Sequence, residues 1–318
     1  MKIKEVYFYY PKKIISNKEL DKMHPKWKVN KLLNFSGVKK RYIAKKDETS
    51  LTMIVNLLKK ILKKKRNLLK SIDGIIFCTQ SPDYLLPSNS SILHGIFNFK
   101  KDIFNLDISH ACSGFLYSLG LADSLIKAKR CKKILIANAD TYSKMINPYD
   151  RSTKLLFSDA AAITIVDSSA ENLIDIMFSS SGEHYEKLIY RNSGFNKQTK
   201  NTSKKYLNMD GMGIMSFINS KLPNQIKNIL KRNNLKLKDV DHFIFHQASK
   251  LALDNLIKLL AIPKNKVIFD LVNGNTVSAS IPIAFKKSQI GNIIKKNDLI
   301  LFCGFGVGLS WSTSLYKY

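Results

Sequence analysis

Hydrophobic positions along the chain fall into two rhythms, short apolar runs and longer stretches with a helical repeat. The runs "DGIIFCT" (73–79), "IFNLDI" (103–108), "KKILIANAD" (132–140), "AAITIVD" (161–167), "VDHFIFHQ" (240–247), "KVIFDLV" (266–272) and "DLILFCGFG" (298–306) predict strands. The opening "MKIKEVYFYY" alternates apolar and charged residues like a first strand rather than a leader, and "LSWSTSLYKY" reads as a last strand. Between most of them apolar residues recur at helical spacing. Phe115, Leu119, Ala122 and Ile126 form one such stripe, and Leu57, Leu58, Ile61, Leu62, Leu68 and Leu69 form another. Strands alternating with amphipathic helices predict an α/β fold with helices on both faces of its sheets.

Part of this pattern occurs twice. "RNLLKSIDGIIFCTQS" (66–81) set against "NLKLKDVDHFIFHQAS" (234–249) pairs Leu69 with Leu237, Lys70 with Lys238 and Asp73 with Asp241. It also pairs Ile76 with Ile244, Phe77 with Phe245 and Ser81 with Ser249. The order of elements downstream is the same in both copies. The chain therefore reads as a duplicated α/β unit, residues 1–168 and residues 169–318, related by a pseudo-twofold axis. Such an axis brings equivalent strand ends and helix starts together at the seam.

Three polar residues stand at those ends. Cys112 follows the run "IFNLDI" and opens a helix, with only Ala111, Ser113 and Gly114 around it. A helix N-terminus is expected to lower a thiol below its usual pKa of about 8.5 and raise its thiolate fraction. His246 ends the run "HFIF" ahead of the helix "SKLALDNLIKLL", and Asn275 lies among small residues in "VNGNTVSAS". Alone, each has an ordinary reading: a buried thiol, a structural histidine, a turn or cap residue. Cys78, Cys131 and Cys303 keep that reading, because no cysteine pair or nearby histidine has metal-ligand or disulfide spacing. The glycine-rich "CGFGVGLSW" (303–311) leads from strand to strand, so no helix N-terminus waits there for a nucleotide phosphate. It reads instead as a tight turn whose N–H groups point at an oxyanion.

Composition narrows the class further. With 318 residues, 45% of them hydrophobic and 10% aromatic, the chain is globular and able to bury a large core. No apolar run is long enough to insert in a membrane, and a cytoplasmic location is expected. The net charge of +28 comes from lysines spread along the whole chain, with no nucleic-acid motif. It predicts an acidic partner rather than nucleic acid. The densest run, "LLKKILKKKRNLLK" (57–70), reads as a solvated helix with one core stripe.

In this order and spacing, "YPKKIISNKEL", "FSGVKKRYIA" (35–44), "LDISHACSGFLYSLGLADSLI", "DRSTKLLFSDAAA" (150–162), "MDGMGIMSF" (209–217), "FHQAS" (245–249), "GNTVSASIP" (274–282) and "CGFGVGLSW" resemble the thiolase-fold condensing enzymes. Within them the chain is most similar to the β-ketoacyl-acyl-carrier-protein synthase III family, from end to end. The resemblance implies a duplicated α/β/α/β/α layered fold and an acyltransferase of fatty-acid biosynthesis with a catalytic triad of Cys112, His246 and Asn275. The cysteine would take an acyl group from a thioester. The backbone N–H groups of Cys112 and Val307 would hold the oxyanion. His246 and Asn275 would support decarboxylative condensation with malonyl-carrier. It further implies no permanently bound cofactor and no metal, with acyl-coenzyme A or acyl-carrier protein and malonyl-carrier protein as substrates.

An acidic acyl carrier protein as partner and a homodimer also follow from the resemblance. Arg151 would help hold the coenzyme A adenine, Lys258 falls on the carrier-protein face, and Leu86 falls where one subunit lends a residue to its partner's acyl pocket. The chain departs from the family at the coenzyme A site. Lys31 occupies the place of an adenine-stacking tryptophan, with Trp27 nearby. Phe35 and Leu251 replace arginines, and Ser249 replaces an asparagine. These changes leave room for a carrier protein as the first acyl donor. They also keep open an alternative, in which the acyl-cysteine passes its acyl group to an alcohol or amine without decarboxylation.

Overall fold

The computed structural model describes residues 1–192 and 205–318. In chain order the first strands are β1 (Lys2–Tyr9), β2 (Lys13–Ser16), β3 (Lys40–Ile43), β4 (Gly74–Cys78), β5 (Phe104–Ile108), β6 (Lys133–Asp140) and β7 (Ala160–Asp167). The helices among them are α1 (Asn17–Met23), α2 (Leu33–Ser36), α3 (Ser50–Lys64), α4 (Asn89–Phe97), α5 (Gly114–Lys127) and α6 (Arg151–Lys154). Then come β8 (Leu173–Ser180), β9 (Leu188–Tyr190), β10 (Leu207–Met209), α7 (Gly211–Arg232), β11 (His242–Phe245), α8 (Lys250–Leu260), α9 (Ser280–Ile290), β12 (Leu299–Gly306) and β13 (Ser310–Lys317).

Two sheets carry the fold, in the orders β1-β7-β6-β4-β5 and β8-β13-β12-β11. In both, the first two junctions are antiparallel and the next is parallel. The first sheet adds β5, parallel to β4; the second has only a parallel bridge from Phe243 to Val267 in the same place. Asp73 and Asp241, paired in the sequence repeat, do the same local work. The Asp73 N–H donates to Lys133 at 2.8 Å and the Asp241 N–H to Leu299 at 2.9 Å. Their carboxylates accept the N–H groups of those same two residues.

Alternation along the strands explains the layering, because successive side chains point to opposite faces. In β12, Leu299, Leu301, Cys303 and Phe305 face α7 and α8, while Ile300 and Phe302 face α5 and α9. In β4, Ile75 and Phe77 face α3 and α4, while Ile76 faces α5. Helices therefore cover both sheets on both faces, and α5 and α9 form a shared central layer. Strands buried this way read as continuous apolar runs, which is why the sequence showed them plainly.

Two expectations need correction. Residues 266–272 do not form a strand. Val267 makes an isolated parallel bridge to Phe243, and the Ile268 N–H donates to the Phe243 carbonyl. The Gln247 amide takes over the rest, donating to the Ile268 carbonyl and accepting the Asp270 N–H at 2.6 Å. The lysine-rich helix starts earlier than its apolar stripe suggested and stops at Lys64. Thr49 caps it by accepting the Thr52 N–H, so Leu51, Ile54, Leu58 and Ile61 make the buried stripe, and Leu69–Ser71 is a separate short turn.

Candidate functional site

Small residues bring the thiol to the seam. Cys112 lies two residues ahead of α5, pressed against the end of β12. A methyl group on Gly304 would come 2.9 Å from the Cys112 carbonyl oxygen and from Ser113 Cα. On Gly306 it would come 2.8 Å from Cys112 Cβ and 3.0 Å from its sulfur. Only glycine lets strand and loop approach this closely. Ser113 and Ser310 add a cross-link between hydroxyls, 2.8 Å apart.

His246 follows β11, and its backbone N–H donates to the Cys303 carbonyl of β12 at 2.8 Å. Its Nδ1 sits 2.7 Å from the Ser280 hydroxyl at the start of α9, and its Nε2 is buried without a partner. A Ser280 hydroxyl donating to Nδ1 would place the ring's proton on Nε2. Burial lowers the histidine to a pKa of about 3, so the ring is neutral at physiological pH.

Asn275 lies two residues ahead of a short 3-10 helix, Val277–Ala279, that runs directly into α9. Its N–H donates to the Leu156 carbonyl at 2.8 Å, and its carbonyl accepts the Ser158 N–H at 2.9 Å. Gly274, at φ 82°, makes this approach possible, since a side chain there would meet Ser158 and the Leu156 carbonyl. Asn275 Oδ1 accepts the Val277 N–H, which leaves Nδ2 as the amide's free donor.

Cys112, His246 and Asn275 line one cavity of about 570 Å³. Its remaining wall is largely apolar, with Met209, Ile214, Met215 and Ile218 from β10 and α7, and Phe305 from β12. The Phe305 ring stands edge-on to His246, centroids 5.5 Å apart. Sequence reasoning found the three polar groups but assigned no role to these walls or to Ser280. The apolar positions in "MDGMGIMSF" were the available signal.

The electrostatics of the thiol overturn one expectation. Burial pushes the Cys112 thiol up, and the nearby Asp140 carboxylate adds to the rise. Desolvation outweighs the helix terminus here because the cysteine is almost wholly enclosed. The resting side chain is therefore a thiol.

The other predicted residues lie apart from this cavity. Val307, one residue past β12, lines a second cavity of about 300 Å³ with Tyr142, Leu188 and Leu207, and packs in the same apolar cluster as Cys112. The N–H groups of Cys112 and Val307 donate to no backbone carbonyl among the described residues. Arg151 and Lys258 are exposed on α6 and α8, and Leu86 is 80% exposed in the loop before α4; none of the three lines the Cys112 cavity. Of the substituted coenzyme A positions, Leu251 and Ser249 line the cavity, and Phe35 and Lys31 are exposed; the nearby Trp27 stacks on His24, ring centroids 3.8 Å apart.

The architecture is similar to known enzymes over its whole length. A crystal structure of 3-oxoacyl-(acyl-carrier-protein) synthase III superposes with a TM-score of 0.93 at 27% identity, covering 99% of both chains. That of a 3-oxoacyl-(acyl-carrier protein) synthase from Burkholderia xenovorans LB400 gives 0.92 at 29% identity, over 99% of this chain and 93% of the other. The fold is that of the thiolase-like condensing enzymes, and the chain is an acyltransferase. Residues 106–183 match the family described as 3-Oxoacyl-[acyl-carrier-protein (ACP)] synthase III, and residues 230–318 match its C-terminal region. The β-ketoacyl-[acyl-carrier-protein] synthase III of Clostridium perfringens is 35% identical over 97% of this chain and 96% of its own length. The chain belongs to the β-ketoacyl-[acyl-carrier-protein] synthase III family.

Proposed function

We propose that Cys112, His246 and Asn275 perform a decarboxylative Claisen condensation. The Cys112 sulfur attacks the carbonyl carbon of an acyl thioester, the donor's thiol leaves, and the acyl group stays on the cysteine. The N–H groups of Cys112 and Val307 hold the oxyanion during that transfer. A malonyl thioester then enters the cavity, and His246 Nε2 and Asn275 Nδ2 donate to its carbonyl oxygen. Carbon dioxide leaves, the enolate so formed attacks the acyl-cysteine, and Cys112 is released. Two neutral donors suit this step, because they stabilise a transient negative charge without holding a permanent counter-ion.

One observation carries the reading: a thiol, an unpartnered imidazole nitrogen and a free amide face a single, largely apolar cavity. The test is an intact mass after incubation with an acyl thioester, followed by malonyl-carrier and measurement of carbon dioxide. An acyl adduct is expected on the wild type and none on Cys112→Ala. An adduct with no decarboxylation would overturn the condensation and favour simple acyl transfer.

The same reading extends to partners. The lysine excess supports an acidic acyl carrier protein, approached from the face that carries Lys258 on α8. Strand β5 is the open edge of the first sheet, with Leu106 exposed on it and Tyr84, Leu85 and Leu86 exposed nearby. An apolar open edge supports pairing with a second copy of the chain, so that Leu86 serves the partner's site. Four free, buried cysteines fit a reducing, cytoplasmic setting. Among the described residues no helix is long and apolar enough to cross a membrane. Residues 1–168 and 169–318 are read as the two copies of the ancestral unit, one supplying the thiol and the other its two donors.

A further inference from the structure

The condensation chemistry leaves several buried acids unused, Asp140 among them. Asp140, the last residue of β6, is fully enclosed. Its Oδ1 accepts the Gln80 N–H at 2.9 Å and lies 3.4 Å from Thr79 Oγ1. Its Oδ2 accepts the Ser278 hydroxyl at 2.6 Å and the Ser278 N–H at 3.3 Å. Thr79 and Gln80 follow β4 of the first sheet, whereas Ser278 belongs to the segment between Asn275 and α9. One carboxylate thus ties the strand ends of one sheet to the loop that supplies a donor from the other half.

That loop needs holding. Val277 sits at φ 54°, a left-handed conformation that a β-branched residue keeps only where its surroundings over-determine it. Asn275 Oδ1 grips the Val277 N–H from one side, and Asp140 grips Ser278 from the other.

The titratable groups facing Asp140 are Cys78 from β4, Cys112 ahead of α5 and Tyr142 after β6. Each is pushed upward first by burial and then by the Asp140 charge. Among the described residues no cation offsets Asp140 itself, and burial raises it to about 7. A carboxylate in this place discourages a second negative charge on the neighbouring sulfur.

We propose that Asp140 is a positioning residue of the condensation site, clamping the Asn275–Ser280 segment to the first sheet. The test is steady-state condensation in Asp140→Asn and Ser278→Ala, with folding checked by thermal unfolding. In each, kcat for condensation falls about tenfold with little change in the KM for malonyl-carrier. In Ser278→Ala the acyl-cysteine, followed by intact mass, still forms at the wild-type rate, because the clamp acts on the loop of the Asn275 donor and not on the sulfur. An unchanged kcat in folded Ser278→Ala overturns the clamp, and that variant alone decides the proposal where Asp140→Asn fails to fold.

Discussion

Replacing Gly306 by alanine tests whether the close approach of strand and loop is what positions the thiol. The added methyl would lie 2.8 Å from Cys112 Cβ and 3.0 Å from its sulfur, where carbon contacts normally settle at about 3.5–4.0 Å. Something must therefore move by roughly 1 Å. The strand has little freedom to do so, since β11 holds β12 from Ile300 to Cys303 and Gly306 itself is in register with Ser310 of β13. The Cys112 loop is left to give way. Overpacking of this kind costs about 1–3 kcal/mol. A shift of about 1 Å at a reacting atom costs on the order of a hundredfold in rate. The expected result is a lower urea midpoint together with an acyl-cysteine that forms about a hundred times more slowly, followed by intact mass. Gly95→Ala is the control, because a methyl there meets nothing within 4 Å. It should acylate at the wild-type rate and gain up to about 1 kcal/mol from helix propensity. A Gly306→Ala protein with wild-type stability and wild-type acylation would refute the idea that this contact sets the sulfur's place.

His246 is neutral when folded and has an unfolded pKa near 6.5, so the unfolded chain binds the extra proton as pH falls from about 6.5 towards 3. Stability is therefore lost in that window, by about 2 kcal/mol between pH 7 and pH 5. His246→Gln should remove that part of the acid sensitivity in urea titrations at the two pH values; an unchanged pH slope would contradict a buried neutral ring. Added salt should slow condensation with malonyl-carrier protein but leave the rate with a malonyl-pantetheine thioester nearly constant, because screening acts on the +28 charge and not on the cavity. Equal salt sensitivity of the two substrates would count against electrostatic docking. Leu106→Lys, placed on the open β5 edge, should lower the sedimentation coefficient to that of a single chain, and an unaltered value would move the interface elsewhere.

What the sequence revealed and what it hid divide along a physical line. Backbone approach leaves a compositional trace: Gly304, Gly306 and the small residues around Cys112 are there because strand and loop touch, so the crowded thiol could be picked out before any coordinates. Burial on both faces leaves a trace too, and β4, β6, β7 and β12 were legible as unbroken apolar runs. The run at 266–272 misled because hydropathy records burial and not pairing. Val267 and Ile268 are buried as a strand would be, but the Gln247 amide fills the hydrogen bonds a neighbouring strand would have made. Charge environment leaves the faintest mark. The local signal at Cys112 is a helix start, which argues for a more acidic thiol, and the opposing desolvation and Asp140 charge come from parts of the chain that meet only after folding. The same holds for His246, whose ring is held by Ser280, 34 residues away. A reactive cysteine found by its neighbours in sequence is thus well located but poorly characterised, because its protonation is a property of the seam between the two sheets.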